Sequence, residues 1–316
     1  MATNLWLGTT SGDASLAANW SEGLPANGDD VIVPPYASNG ITDGMDAIGS
    51  RTLKSFWVQD GFTKNIGNTS GGFFQVDISN SGATRFMFEG SSTLAKFHFI
   101  KTLATVAIDI RKTGVGNVGQ SAFQMITNDV SANTTNVGTV SVYSGEVSLG
   151  PEQKLCECSD VIVGSNSGAD SPVVEIGENC RNDLANGVLQ NLYLRSGTVN
   201  LGAVVNVVHQ YGGVINHTGG QGVASVTTMN LWGGVFKLNN PSGTSGGSII
   251  TKLNLRGGTL DNSENPSPKT ITNADLHAGT IQDPLAKLVY SNPVVYKGPK
   301  EDVDFDWGPD RTITIA

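Results

Sequence analysis

A chain of 316 residues with 15% charged residues, 38% apolar residues and 40 glycines is too apolar for a disordered polyampholyte, and no apolar run approaches the roughly 18 residues of a membrane span. Its net charge of −9 argues against a phosphate-backbone partner, because such binding draws on Lys and Arg displacing counterions, so no nucleic-acid partner is expected. Three cysteines, Cys156, Cys158 and Cys180, are odd in number and crowded together, unlike a disulfide framework, and reduced thiols are expected.

The N-terminal stretch differs from the rest. No Lys or Arg precedes Arg51, while Asp13, Glu22, Asp29, Asp30, Asp43 and Asp46 make it acidic. The start Met1-Ala2-Thr3-Asn4-Leu5-Trp6-Leu7-Gly8 has neither the basic region nor the apolar stretch of a secretory signal, so a chain made in the cytoplasm is expected. Residues 1–49 read as a turn-rich cap and entry strand, with Trp6 and Trp20 as plugs and Asp29 and Asp30 as anchoring acids.

From residue 50 the texture is that of short strands. Phe73-Phe74-Gln75-Val76-Asp77-Ile78, Arg85-Phe86-Met87-Phe88, Lys96-Phe97-His98-Phe99 and Ala104-Thr105-Val106-Ala107-Ile108-Asp109-Ile110 alternate and are separated by Gly and Ser, as half-buried strands do. Downstream, one phrase recurs: an apolar residue, a large side chain, a small residue, Gly, then two strand formers. It occurs around Gly145, Gly197, Gly213, Gly234, Gly258 and Gly279, at steps of 52, 16, 21, 24 and 21 residues. The long first step predicts two or three unmarked copies.

Aligned columns settle the fold class. Three before the glycine stand Val142, Leu194, Gln210, Leu231, Leu255 and Leu276, and two after it Val147, Val199, Ile215, Phe236, Leu260 and Ile281; both columns face inward. Three after it stand Ser148, Asn200, Asn216, Lys237, Asp261 and Gln282, the outward side required by period 2. Strand, glycine bend, strand, repeated every 16 to 24 residues, predicts an all-β, single-stranded parallel β-helix, or β-solenoid. Residues 50–290 would form about ten or eleven rungs, a rod about 50 Å long. Residues 291–316 form a C-terminal extension, acidic and then strand-like at Thr312-Ile313-Thr314-Ile315, with Asp304, Phe305 and Trp307 as contact residues.

The N-terminal phrase Gly12-Asp13, Asn19-Trp20, Gly23, Pro25 and Gly28-Asp29-Asp30-Val31-Ile32-Val33-Pro34, leading into Gly-rich coils, resembles the start of right-handed parallel β-helix proteins of bacterial surfaces and phage particles. The resemblance implies the right-handed winding, which the columns alone leave open. It transfers no catalytic residue. The bare start at Met1 points to the phage branch, and the expectation is a non-enzymatic virion protein on the particle surface. Its expected role is capsid decoration, bound to the major capsid protein and assembled as a homotrimer.

The column two before the glycine, Tyr143, Arg195, Tyr211, Trp232, Arg256 and His277, carries large flat side chains about 4.8 Å apart on neighbouring rungs. Three roles are open to it: stabilising the sheet, binding a protein partner, or gripping a glycan, as in a host-recognition tailspike or adhesin. A polysaccharide hydrolase or lyase is disfavoured: Asp29-Asp30 lies in the cap, Asp129 after Asn128 lacks the companion elements of a pectin hydrolase, and the other acids are scattered. Cys156, Cys158 and Cys180 with His209 or His217 offer a zinc set. Structural zinc sites usually space Cys in two close pairs, so buried thiols and no metal are expected. Asp302, Asp304 and Asp306 alternate like one side of a strand that could hold a cation, but no Gly-bearing loop surrounds them, so a solvated tail or subunit clasp is expected. No cofactor is expected.

Overall fold

The computed structural model describes residues 2–103, 105–112, 116, 119–127, 137–167, 171–182, 187–218, 225–238, 248–264 and 267–306. Trp307, Asn128, Asp129 and Thr312 to Ile315 lie outside the described residues. The chain winds as a right-handed parallel β-solenoid of about 11 turns. Each marked repeat forms strand, bend, strand, as in Leu189–Leu194 with Thr198–Leu201 and Val226–Leu231 with Val235–Leu238. Upstream strands of successive turns stack into a 14-stranded sheet and downstream strands into an 11-stranded sheet. A short third sheet pairs Cys156–Glu157 with Cys180–Arg181. Among the described residues no helix is long and apolar enough to cross a membrane.

The bend between the two sheets explains the repeated glycine. At Gly258 φ is +72°, and a Cβ there would lie 2.7 Å from the Gly234 carbonyl oxygen and 2.8 Å from the Gly233 carbonyl carbon. A side chain would therefore be strained by its own backbone and would collide with the rung below. Glycine recurs because successive corners stack backbone on backbone.

Both inward columns are buried over their whole length. In the N-terminal half the interior is filled by Phe56, Phe74, Phe86, Phe88, Phe97, Phe99 and Phe123, with Phe97 4.9 Å from Phe86 and 5.5 Å from Phe123 between ring centroids. Toward the C-terminus Leu, Val and Ile replace them. The outward column is half-buried, and Ser148, expected at the surface, is buried. It sits in register between Gln124 and Glu175, beside a cleft where Gly116, Gln120 and Ser121 lie against Glu146 and Glu175.

Both ends join the stack. Thr3–Leu5 pairs in parallel with Asp30–Val33, which pairs with Ser55–Val58, so the first sheet begins inside the N-terminal cap. Trp6 and Trp20 plug the interior edge to face at 4.9 Å, and their indole N–H groups donate to the Asn39 and Ala14 carbonyls. At the other end Val303–Asp306 pairs with Gly279–Gln282, making the extension the last rung of the second sheet. The buried Asp283 carboxylate fastens this turn by accepting from the backbone N–H of Lys287 and Leu288 and from the Asn262 amide.

Candidate functional site: a stacked aromatic and cationic strip

The six ladder residues lie at the edge of the first sheet, each following its inward-facing neighbour at the start of the bend. Backbone N–H groups of Arg195, Tyr211, Trp232, Arg256 and His277 donate at 2.7 to 2.9 Å to carbonyls of the inward column one rung below. Sheet hydrogen bonding therefore continues through the ladder and fixes its spacing. Lys297 extends it, donating to the Leu276 carbonyl.

Tyr143 does not adjoin Arg195. Register runs from Val142 through Val163 to Leu194, so Gly164 occupies the ladder position between them. The 52-residue step thus holds one unmarked rung, not two or three. The coil from Val163 to Leu194 carries the Cys180–Arg181 strand as an extra element, as the coil before it carries Cys156–Glu157. Tyr143 instead receives Arg111, whose Cζ lies 4.9 Å from its ring centroid.

From Tyr211 onward the ladder is continuous. Tyr211 and Trp232 stack at 6.3 Å with 12° between planes, and the Arg256 guanidinium lies 4.4 Å from the Trp232 ring centroid. Tyr211 is 50% and Trp232 44% exposed. Two members escaped the column reading: Tyr193 and His209, two residues upstream of Arg195 and Tyr211, stack at 4.9 Å with 5° between planes. His209 also faces Tyr211 at 6.5 Å and 10°. Continuing the alternation two positions upstream in each copy would have found them.

Electrostatics grade along the strip. Burial lowers the His209 pKa and raises that of Tyr193, so both rings are held toward their neutral forms and Arg195 supplies the charge at this end. Toward the C-terminus Lys252 forms a 2.6 Å ion pair with Asp275, whose carboxyl is held below its usual range chiefly by that contact. Asn254 donates to Asn230 at 2.9 Å beside them, tying the rungs by an amide hydrogen bond. Arg256 is exposed and His277 half-buried.

Ring orientation decides what the strip can grip. Trp232 has Tyr211 on the rung before it and Arg256 on the rung after it, so both ring faces are turned to neighbours along the rod axis. Tyr211, Trp232 and Arg256 nonetheless remain exposed beside one another. A sugar stacks on a free aromatic face, whereas a protein surface docks equally well on edges and polar tips.

Asp29 and Asp30 tie the cap together. Asp29 accepts from the backbone N–H of Ala2 and Ala26, and Asp30 accepts from the Ser55 hydroxyl and faces Lys54 at 3.7 Å. Asp302, Asp304 and Asp306 are exposed, and Phe305 packs edge-on against Tyr296 at 6.3 Å. Cys156, Cys158 and Cys180 converge in one buried cluster, with no His, Asp or Glu joining them among the described residues. His209 is on the first sheet's outer side, and His217 is buried in the second. The chain matches no protein-family model, no curated protein and no solved structure.

Proposed function

We propose that the chain is a non-enzymatic structural protein of a phage particle, a decoration protein that lies on the outer shell and contacts the shell protein through the strip from Tyr193 to Arg256. The observation that carries the docking role is the occupancy of both faces of Trp232. The strip offers edges and polar tips held rigid by the rungs, which suits a protein partner better than a stacked glycan. Tyr, Trp and Arg on such a rigid frame lose little side-chain freedom on binding, the property that concentrates them in interface hot spots. The phage assignment rests on the resemblance of the N-terminal phrase, and a trimer is the assembly proposed with it.

Electron microscopy of particles from the native source, labelled with an antibody to this chain, tests the reading. Label spread over an icosahedral shell supports decoration, label confined to a tail tip replaces it with host recognition, and bare particles overturn the virion assignment. Light scattering of the purified chain tests the trimer.

A further inference from the structure

The third sheet places three sulfurs together in the interior. Cys156 and Cys180 are register partners, and Cys158, two residues beyond Cys156, points to the same side. All three are fully buried, their sulfurs lie within 4.8 Å of one another, and Cys158 approaches Cys180 to 3.6 Å. Backbone hydrogen bonds fix each one: Cys156 donates to Asn179, Cys158 to Arg181 and Cys180 to Gly177, at 3.2, 2.9 and 3.0 Å. An ion held equally by three sulfurs at about 2.3 Å needs them about 4.0 Å apart, which this spread brackets.

We propose that Cys156, Cys158 and Cys180 form a three-thiolate site for a soft, closed-shell cation, Cu(I). Zinc fits less well, because its structural sites take four ligands and no fourth joins the cluster among the described residues. Cu(I) prefers thiolates and is satisfied by three. Hydrogen bonding among the sulfurs and exclusion from water keep the metal-free thiols protonated. Binding therefore breaks three S–H bonds, forms three S–Cu bonds and releases three protons to solvent. Copper stays in the +1 state throughout, so no oxidant or reductant takes part. Because the sulfurs are buried, the ion enters while this coil is open, during folding or local unfolding.

The test refolds the reduced, unfolded chain without oxygen in the presence of Cu(I) supplied as its acetonitrile complex, then removes excess metal. Expected are about one copper per chain and an X-ray absorption shell of three sulfurs at about 2.3 Å, with C158S losing both. Copper retained equally by a C156S/C158S double variant, or a shell containing nitrogen or oxygen, would overturn the site. So would a chain two hydrogens lighter and free of copper, the mark of a Cys158 to Cys180 disulfide. If the serine variants do not fold, the wild-type chain decides alone: less than stoichiometric copper or a mixed shell sinks the proposal.

Discussion

Arg256 covers the ring of Trp232 from the following rung, its guanidinium carbon 4.4 Å from the ring centroid, while Tyr211 stacks from the preceding one. Under the docking role proposed above, stability and recognition would rest on the same side chains, and the two can be separated by experiment. A double-mutant cycle of W232A and R256A should give a coupling of about 0.5–1 kcal/mol in folding, the size of an exposed cation–π pair. Both single variants should stay folded, since Trp232 is 44% exposed and the neighbouring inward residues are untouched. Sedimentation with native particles should then show W232A failing to bind the shell. Full binding by both variants would remove the strip from the interface.

Glycines with positive φ should divide into two kinds. Gly258 and Gly23 both have positive φ, at +72° and +77°, but a Cβ on Gly258 would strike the rung below whereas one on Gly23 meets nothing within 4 Å. G23A should lose about 1 kcal/mol, the cost of the backbone conformation alone. G258A adds overpacking and should lose about 2–5 kcal/mol. Equal losses in denaturant titrations would show that stacking does not set the glycine requirement.

The legible parts of this fold are those where one physical demand repeats at every rung. At the marked rungs the stacked corners favour glycine, although Lys112 lies under Gly145, and a shared interior demands apolar residues at fixed offsets, so both inward columns could be aligned without knowing how coils pair. Seating Tyr143 correctly required the register, and the rung between it and Arg195 carries Gly164 with no copy of the phrase. Cys158 and Cys180 meet across two coils of irregular length, and nothing in their spacing says that a third sheet aligns them. Ser148 obeys the alternation yet is buried, and alternation alone carries no signal for that.

The aromatic interior predicts a localised response to damage. Phe97 touches Phe56, Phe86, Phe88 and Phe123, so F97A should cost about 3–5 kcal/mol. A solenoid transmits stability only between neighbouring coils, and hydrogen exchange should accelerate across Ser55–Val58 to Phe123–Thr127 while Val226–Leu231 and Lys269–Leu276 keep their protection. F305A, which removes one edge contact to Tyr296, should cost far less. Uniform acceleration along the rod in F97A would mean that the chain unfolds as one cooperative unit.

Lys112 supplies a pH signature. Its ammonium is buried, and burial pulls the pKa down to about 8 from 10.5 against the attraction of Glu146. Between these values the unfolded chain holds a proton that the folded chain has released, so the Lys112 contribution to stability rises with pH across that window and is at its least favourable below it. The slope has a ceiling of about 1.4 kcal/mol per pH unit. Buried thiols Cys156, Cys158 and Cys180 and the phenols of Tyr193, Tyr290 and Tyr296, all raised, act in the opposite sense at the alkaline end. The difference between wild type and K112M cancels them. Measured by urea unfolding at successive pH values from about 7 to about 10, that difference should move in favour of wild type as pH rises. A constant gap would show that Lys112 keeps its ordinary proton affinity in the folded chain.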